Sequence, residues 1–356
     1  MKLWLLISIM LCLLIPCALA ESDGDCLYTM TDADGNPITL RAGRMYVGDE
    51  YISGDNHNYR VVSVDDGRQL AIAEEIDDTE AFIEWDAAIA MAEDKQDDEK
   101  KLICMYSTHS DESYVPDDGT SSKWEDAGIY DVGNALKDEL EARGIETIYS
   151  EESFLPHDAE AYNRSRATAE ELLKKAPDAL FDIHRDAIPP EEYETEINGD
   201  EISKVRLFVG RSNQNQAANK AFAKKIKKEA DARYPGLIKD IYIGKGNYNQ
   251  ELYPRSLLLE FGTHEIEKDK VIGATSYIAE IIDEVLYGGT AQAASEPEDA
   301  PAFNGIAWAV GLALAAAVIY GVVSTGSLGG AWHKLRRGAS ELTGGLFGEK
   351  PGSKKP

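Results

Sequence analysis

Residues 101–120 read KLICMYSTHSDESYVPDDGT. A short apolar run passes straight into a polar loop that sets His109 and Glu112 three residues apart. Such a run fits a strand buried on both faces, as in a parallel sheet covered by helices. Downstream the pattern alternates. Ala127–Arg143 carries apolar residues at 129, 132, 136 and 140, one face of a helix, and stops at Gly144. IETIYS is the next strand, and Ala159–Lys175 a second helix ended by Pro177. ALFDIH and KVRLFVG read as strands, and Gln216–Arg233 as a helix ended before Pro235. LIKDIYIG and SLLLEFG are strands, and Lys270–Tyr287 closes the series as a helix. Strands alternating with helices of this length predict an α/β domain over 101–288, with a mostly parallel sheet flanked by helices.

In open α/β sheets the functional groups gather beyond the carboxyl ends of the strands. Three strands here end in such groups: Thr108-His109, then Asp182-Ile183-His184-Arg185-Asp186, then Glu260 inside LLLEFG. Glu112 lies just past the first histidine. Glu260 stands out because a carboxylate within an apolar strand needs a cation or a polarised water beside it. Two histidines and a carboxylate suit a catalytic zinc site, in which three protein ligands leave a fourth position for water. His109, Glu112 and His184 are the expected ligands, with Glu125 as a rival for Glu112. Glu260 is the expected general base, and Asp111, Asp182 or Asp186 would orient a bound imidazole. Arg185, Arg255 and Arg166 are candidates to receive a substrate carboxylate, although a surface ion pair is the simpler reading of Arg166. His157 reads as a capping or solvated residue. His264 and Glu265 lie within reach of the site. Taken singly, each histidine also fits an ordinary loop residue.

The flanks supply the setting. Residues 1–20 have a charged start, an apolar run and an Ala-Leu-Ala end, the form of a signal peptide. Residues 21–77 hold short runs such as CLYTMT and YRVVSVD between turn clusters, which predicts a small β-rich module. Residues 78–100 read as a helical connector, and 289–301 as a small, polar stalk. Residues 302–324 are apolar over a membrane-spanning length, with basic residues after them and acidic ones before. That places the α/β domain outside the membrane and the tail, 325–356, in the cytoplasm. With 64 Asp+Glu against 36 Lys+Arg, the formal charge of −28 argues against nucleic acid as a partner. No G-x-S-x-G elbow and no glycine-rich phosphate loop is present.

THSDESYVP, NRSRAT, DIHRDA and NQELYPRSLLLEFG, in that order, resemble the stage II sporulation protein P (SpoIIP) family over about residues 101–287. The resemblance leaves the β-rich module outside. It implies a zinc-dependent peptidoglycan hydrolase related to N-acetylmuramoyl-L-alanine amidases, which also cuts peptide cross-links. It implies action in forespore engulfment beside the membrane proteins SpoIID and SpoIIM. It assigns His109, His184 and Glu112 to the metal, and Glu260 to acid–base catalysis. The chain departs from the family pattern at Ser107, where a second histidine is usual, and at Gly262-Thr263-His264-Glu265. A catalytically weak protein of the same fold, binding peptidoglycan or a partner through the same cleft, is the alternative; the presence of all four residues argues against it.

Overall fold

The computed structural model describes residues 26–77 and 100–288. The expected signal peptide, stalk, membrane span and tail, and all but the last residue of the connector, lie outside the described residues. Among the described residues no helix is long and apolar enough to cross a membrane.

Thirteen strands and five α-helices follow one another along the described chain. The first five strands are β1 (Leu27–Thr31), β2 (Pro37–Ala42), β3 (Glu50–Ile52), β4 (Asn58–Asp65) and β5 (Leu70–Glu75). After the connector come β6 (Leu102–Tyr106), the single-turn α1 (Val115–Asp118), α2 (Gly128–Ala142), β7 (Glu146–Tyr149), α3 (Ala161–Leu173) and β8 (Ala179–Asp186). A hairpin, β9 (Glu194–Ile197) and β10 (Asp200–Ser203), precedes β11 (Val205–Gly210), α4 (Gln216–Arg233), β12 (Ile238–Gly244), β13 (Ser256–Thr263) and α5 (Lys268–Tyr287). The apolar stripe expected of α2 is buried at Ile129, Val132, Leu136 and Leu140.

The expectation of a mostly parallel sheet requires correction, because the sheet is mixed. Eleven strands join in the order β2-β1-β5-β4-β3-β12-β11-β13-β8-β6-β7. β7, β6, β8 and β13 run parallel, but β11 lies antiparallel to β13, and β12 follows β11. The cause lies in the connections. A parallel return needs a long crossover, usually a helix. Between β8 and β11 the chain makes only a 3-10 turn and the β9–β10 hairpin, and between β12 and β13 only another 3-10 turn. Each helix-free link reverses the direction of the chain. Asn198 and Gly199, at φ 55° and 93°, make the tight hairpin turn, the Asn-Gly pairing such a turn favours.

The N-terminal strands continue this sheet rather than forming one of their own: β3 pairs antiparallel with β12. Tyr28, Met30, Tyr51 and Val61 share an apolar cluster with Phe208, Tyr242 and Leu258 of β11, β12 and β13. The strands curl so that β2 lies over β11 and β12. Arg206 Nη2 donates to the Leu40 carbonyl at 3.1 Å, and the Arg41 guanidinium stands 5.0 Å from the Tyr242 ring centre.

Candidate active site

Because β6, β8 and β13 are parallel, their carboxyl ends share one edge, with β8 in the middle. A cleft of about 430 Å³ opens there, lined among others by His109, Glu112, His157, His184, Arg185 and Glu260. Beyond β6 the chain turns back tightly. Glu112 N–H donates to the His109 carbonyl at 3.1 Å, which returns the carboxylate to the imidazole it follows. Glu112 Oε1 lies 3.3 Å from His109 Nδ1, and Oε2 lies 3.4 Å from His184 Nδ1. The Arg185 amide donates to Oε2 at 2.9 Å. Glu112 is buried, and burial works against its charge. The facing His184 outweighs that, with His109 and Arg185, and holds the carboxyl well below its usual range.

Asp182, His184 and Asp186 alternate along β8, so all three share one face. Asp182 ties β6 to β8, accepting from Thr108 N at 2.8 Å and from Thr108 Oγ1 at 2.7 Å. His184 Nε2 lies 2.9 Å from Asp182 Oδ1 but off the line a hydrogen bond needs, so this buried nitrogen makes no such bond. Burial opposes the His184 imidazolium, yet Asp182 and Glu112 raise its pKa to about 10. His109 moves the other way, lowered by burial.

Glu260 stands opposite His184 in the β13–β8 register. Tyr193 Oη donates to Glu260 Oε2 at 3.3 Å and to Asp186 Oδ2 at 2.9 Å. Burial, and then the Asp186 charge, push the Glu260 carboxyl up to about 8 against the pull of Arg206. Arg206, on the next strand, is fully buried and opposite Glu260. Its guanidinium donates to Asp240 at 2.7 and 3.0 Å and to Asp186 at 2.8 Å, and stands 3.7 Å from Glu260. Cross-strand neighbours His184, Glu260, Arg206 and Asp240 therefore make one polar row across four strands.

The arrangement sorts the residues picked out by the sequence. His109, Glu112, His184 and Glu260 come together, and His264 joins them in the lining. Glu125 is exposed and does not line the cleft. Arg185 lines it but donates to the carbonyls of Ser113, Ser121 and Asp186, fixing the loop. Arg166 pairs with Glu170 and Glu251 away from the lining. Arg255 immediately precedes β13, so it sits at the end of that strand opposite Glu260. His157, Tyr193, Arg206 and Arg41 were not selected from the sequence. Arg206 carries the same signal as Glu260, a charge inside an apolar strand, KVRLFVG.

Imidazoles and a carboxylate are donors that suit a zinc ion; among the described residues the ligand atoms that gather within 4.8 Å of one another are those of His109, Glu112 and His157, and His184 meets the other oxygen of Glu112. Tetrahedral zinc with bonds of about 2.0–2.1 Å sets its donors about 3.3 Å apart, and the two nitrogen–oxygen separations across Glu112, 3.3 and 3.4 Å, have that size. His184 faces Glu112 through Nδ1, and Asp182 stands 2.9 Å from Nε2 without a hydrogen bond.

The profile of the stage II sporulation protein P family matches residues 41–283, more than half of the chain. The match begins in β2 and so includes most of the N-terminal strands that the motifs alone left outside. Stage II sporulation protein P of Bacillus subtilis is 27% identical over 208 residues, 53% of this chain and 52% of that protein. The chain thus spans about half the length of that relative. Among solved structures, the amidase CwlD of Clostridioides difficile in complex with the GerS lipoprotein is similar at TM-score 0.37 and 16% identity, over 52% of this chain and 98% of that one. The N-acetylmuramyl-L-alanine amidase Ami1 of Mycobacterium smegmatis is similar at TM-score 0.35 and 15% identity, over 52% and 96%. The sequence match is the one that decides membership: the chain belongs to the stage II sporulation protein P family.

Proposed function

We propose that this chain is a zinc-dependent peptidoglycan hydrolase of the N-acetylmuramoyl-L-alanine amidase type, with cross-link endopeptidase activity as a second action. The reading includes forespore engulfment as the setting and SpoIID and SpoIIM as partners. It also includes a single membrane span at 302–324, with the catalytic domain on the outer side. The observation that carries the chemistry is the buried Glu112 carboxylate held between two imidazoles beside Glu260.

His109, Glu112 and His184 would hold the ion. Bound zinc supplies a Lewis acid that polarises the amide carbonyl and activates the attacking water. Glu260 takes the proton from that water and returns it to the leaving amine. Burial and the Asp186 charge raise its carboxyl, which suits it to give that proton up to the leaving amine. Tyr193 and Arg206 keep Glu260 from turning away from the cleft.

The test uses the full-length chain. Zinc content is measured, and purified sacculi are incubated with the protein, with and without a chelator. Mass spectrometry of the soluble products should reveal stem peptides with free L-alanine amino termini. Chelator and Glu260→Gln should each abolish them. Sacculi that are bound by the wild type but yield no new termini would refute the enzyme and leave a binding protein.

A further inference from the structure

His157 lies on the loop between β7 and α3, and the loop is built around it. Arg164 of α3 donates to the Phe154 carbonyl at 2.6 Å, to the Pro156 carbonyl, and to Asp158 Oδ1 at 2.6 Å, gripping both sides of the histidine. The Phe154 amide donates to Ser110 Oγ at 2.9 Å, which fastens the same loop to the residue after His109. The His157 ring stacks on that of His109 with centres 3.9 Å apart and planes at 21°. Its Nδ1 lies 2.9 Å from Asp111 Oδ1, and Asp111 is buried and also accepts from Ser122 Oγ.

A carboxylate bound to one imidazole nitrogen turns the other outward and raises its basicity, the usual support for a metal-ligating histidine. One ligand atom from each of His109, Glu112 and His157 falls within 4.8 Å of the others. We propose that His157 is a further ligand of the ion held by His109, Glu112 and His184, binding through Nε2 while Asp111 holds Nδ1. The proposal rests on the zinc-hydrolase reading above. With four protein donors the reacting water enters as a fifth, a coordination number that zinc reaches in its transition states. Arg164 and Asp111 then act as positioning residues for the ligand.

The experiment loads the full-length wild type, His157→Ala and Asp111→Asn with zinc. X-ray absorption counts the imidazoles around the metal, and competition with a chromophoric chelator measures affinity. The wild type should carry three imidazoles and His157→Ala two, with at least about tenfold weaker binding. Asp111→Asn should weaken binding about 10–100-fold, the range for loss of such a support. Circular dichroism of the zinc-free proteins checks folding. A wild type with two imidazoles overturns the proposal without any variant, as does a folded His157→Ala with unchanged affinity. If that wild type still releases wall peptides, the hydrolase reading survives alone. A wild type that binds no zinc removes both.

Discussion

Glu260 and Arg206 face each other across β13 and β11, Arg206 buried and Glu260 partly so; on the proposed reading Glu260 carries the proton and Arg206 holds that carboxyl in place. Replacing Glu260 by Gln keeps the shape and removes the proton carrier. Activity on sacculi should fall by about 10²–10⁴-fold while zinc content, read by metal analysis, stays the same. The raised carboxyl also has a stability signature in zinc-free protein. Between its unfolded value of 4.5 and about 8, Glu260 holds a proton when folded and loses it when unfolded. The folded state binds more protons, so stability falls as pH rises through this window. His184, raised to about 10, adds a loss of the same sign, but only above its unfolded value of 6.5. In chelator, the urea midpoint should therefore change more unfavourably between pH 5 and pH 6.5 in the wild type than in Glu260→Gln, in which the lowered His109 acts without that opposing loss. Glu260 was legible because an apolar strand has no reason to carry a lone carboxylate. His157 was not, since a loop histidine leaves no periodic trace and its meaning comes from Asp111, 46 positions away. Arg255, a candidate to receive a substrate carboxylate, precedes the first residue of β13 and does not line the cleft.

At the level of elements, the polar row from β8 to β12 depends on register. Burial works to raise the Asp240 carboxyl, yet Arg206 and Lys239 hold it down to about 2. Arg206→Met would leave Asp240 and Asp186 buried without their shared fork. Breaking a buried pair from one side costs about 3–5 kcal/mol, so a denaturant titration should reveal a loss of that order. Arg206→Lys should not restore it, because an ammonium lacks the planar fork that reaches both carboxylates. The alternation of strands and helices was readable, and α4 matches its expected bounds residue for residue. Strand direction was not. It is set by whether a link holds a helix, and the stretch that became β9–β10 shows only its Asn-Gly turn as a clue.

At the scale of the whole chain, the N-terminal strands and the α/β part share one sheet and one apolar cluster. Removing residues 26–77 would strip β12 of one of its two neighbours, β3, and uncover Phe208, Tyr242 and Leu258. A bare strand edge beside such a surface invites association, so in detergent the shortened chain should elute as aggregate in size-exclusion chromatography and the full chain should not. The β-rich character of 21–77 could be read from its short runs and turns. Its curl over β11 and β12 could not, because it depends on pairings made far along the chain.

Arg41 and Ala42 on β2 form part of the cleft lining, although the reactive groups all follow residue 100. A one-residue insertion or a bulkier side chain in β2 would narrow the slot and, on the proposed reading, exclude larger cross-bridged fragments while leaving Glu260 in place. On the proposed reading, selectivity and reactivity would then sit on separable lengths of one polypeptide.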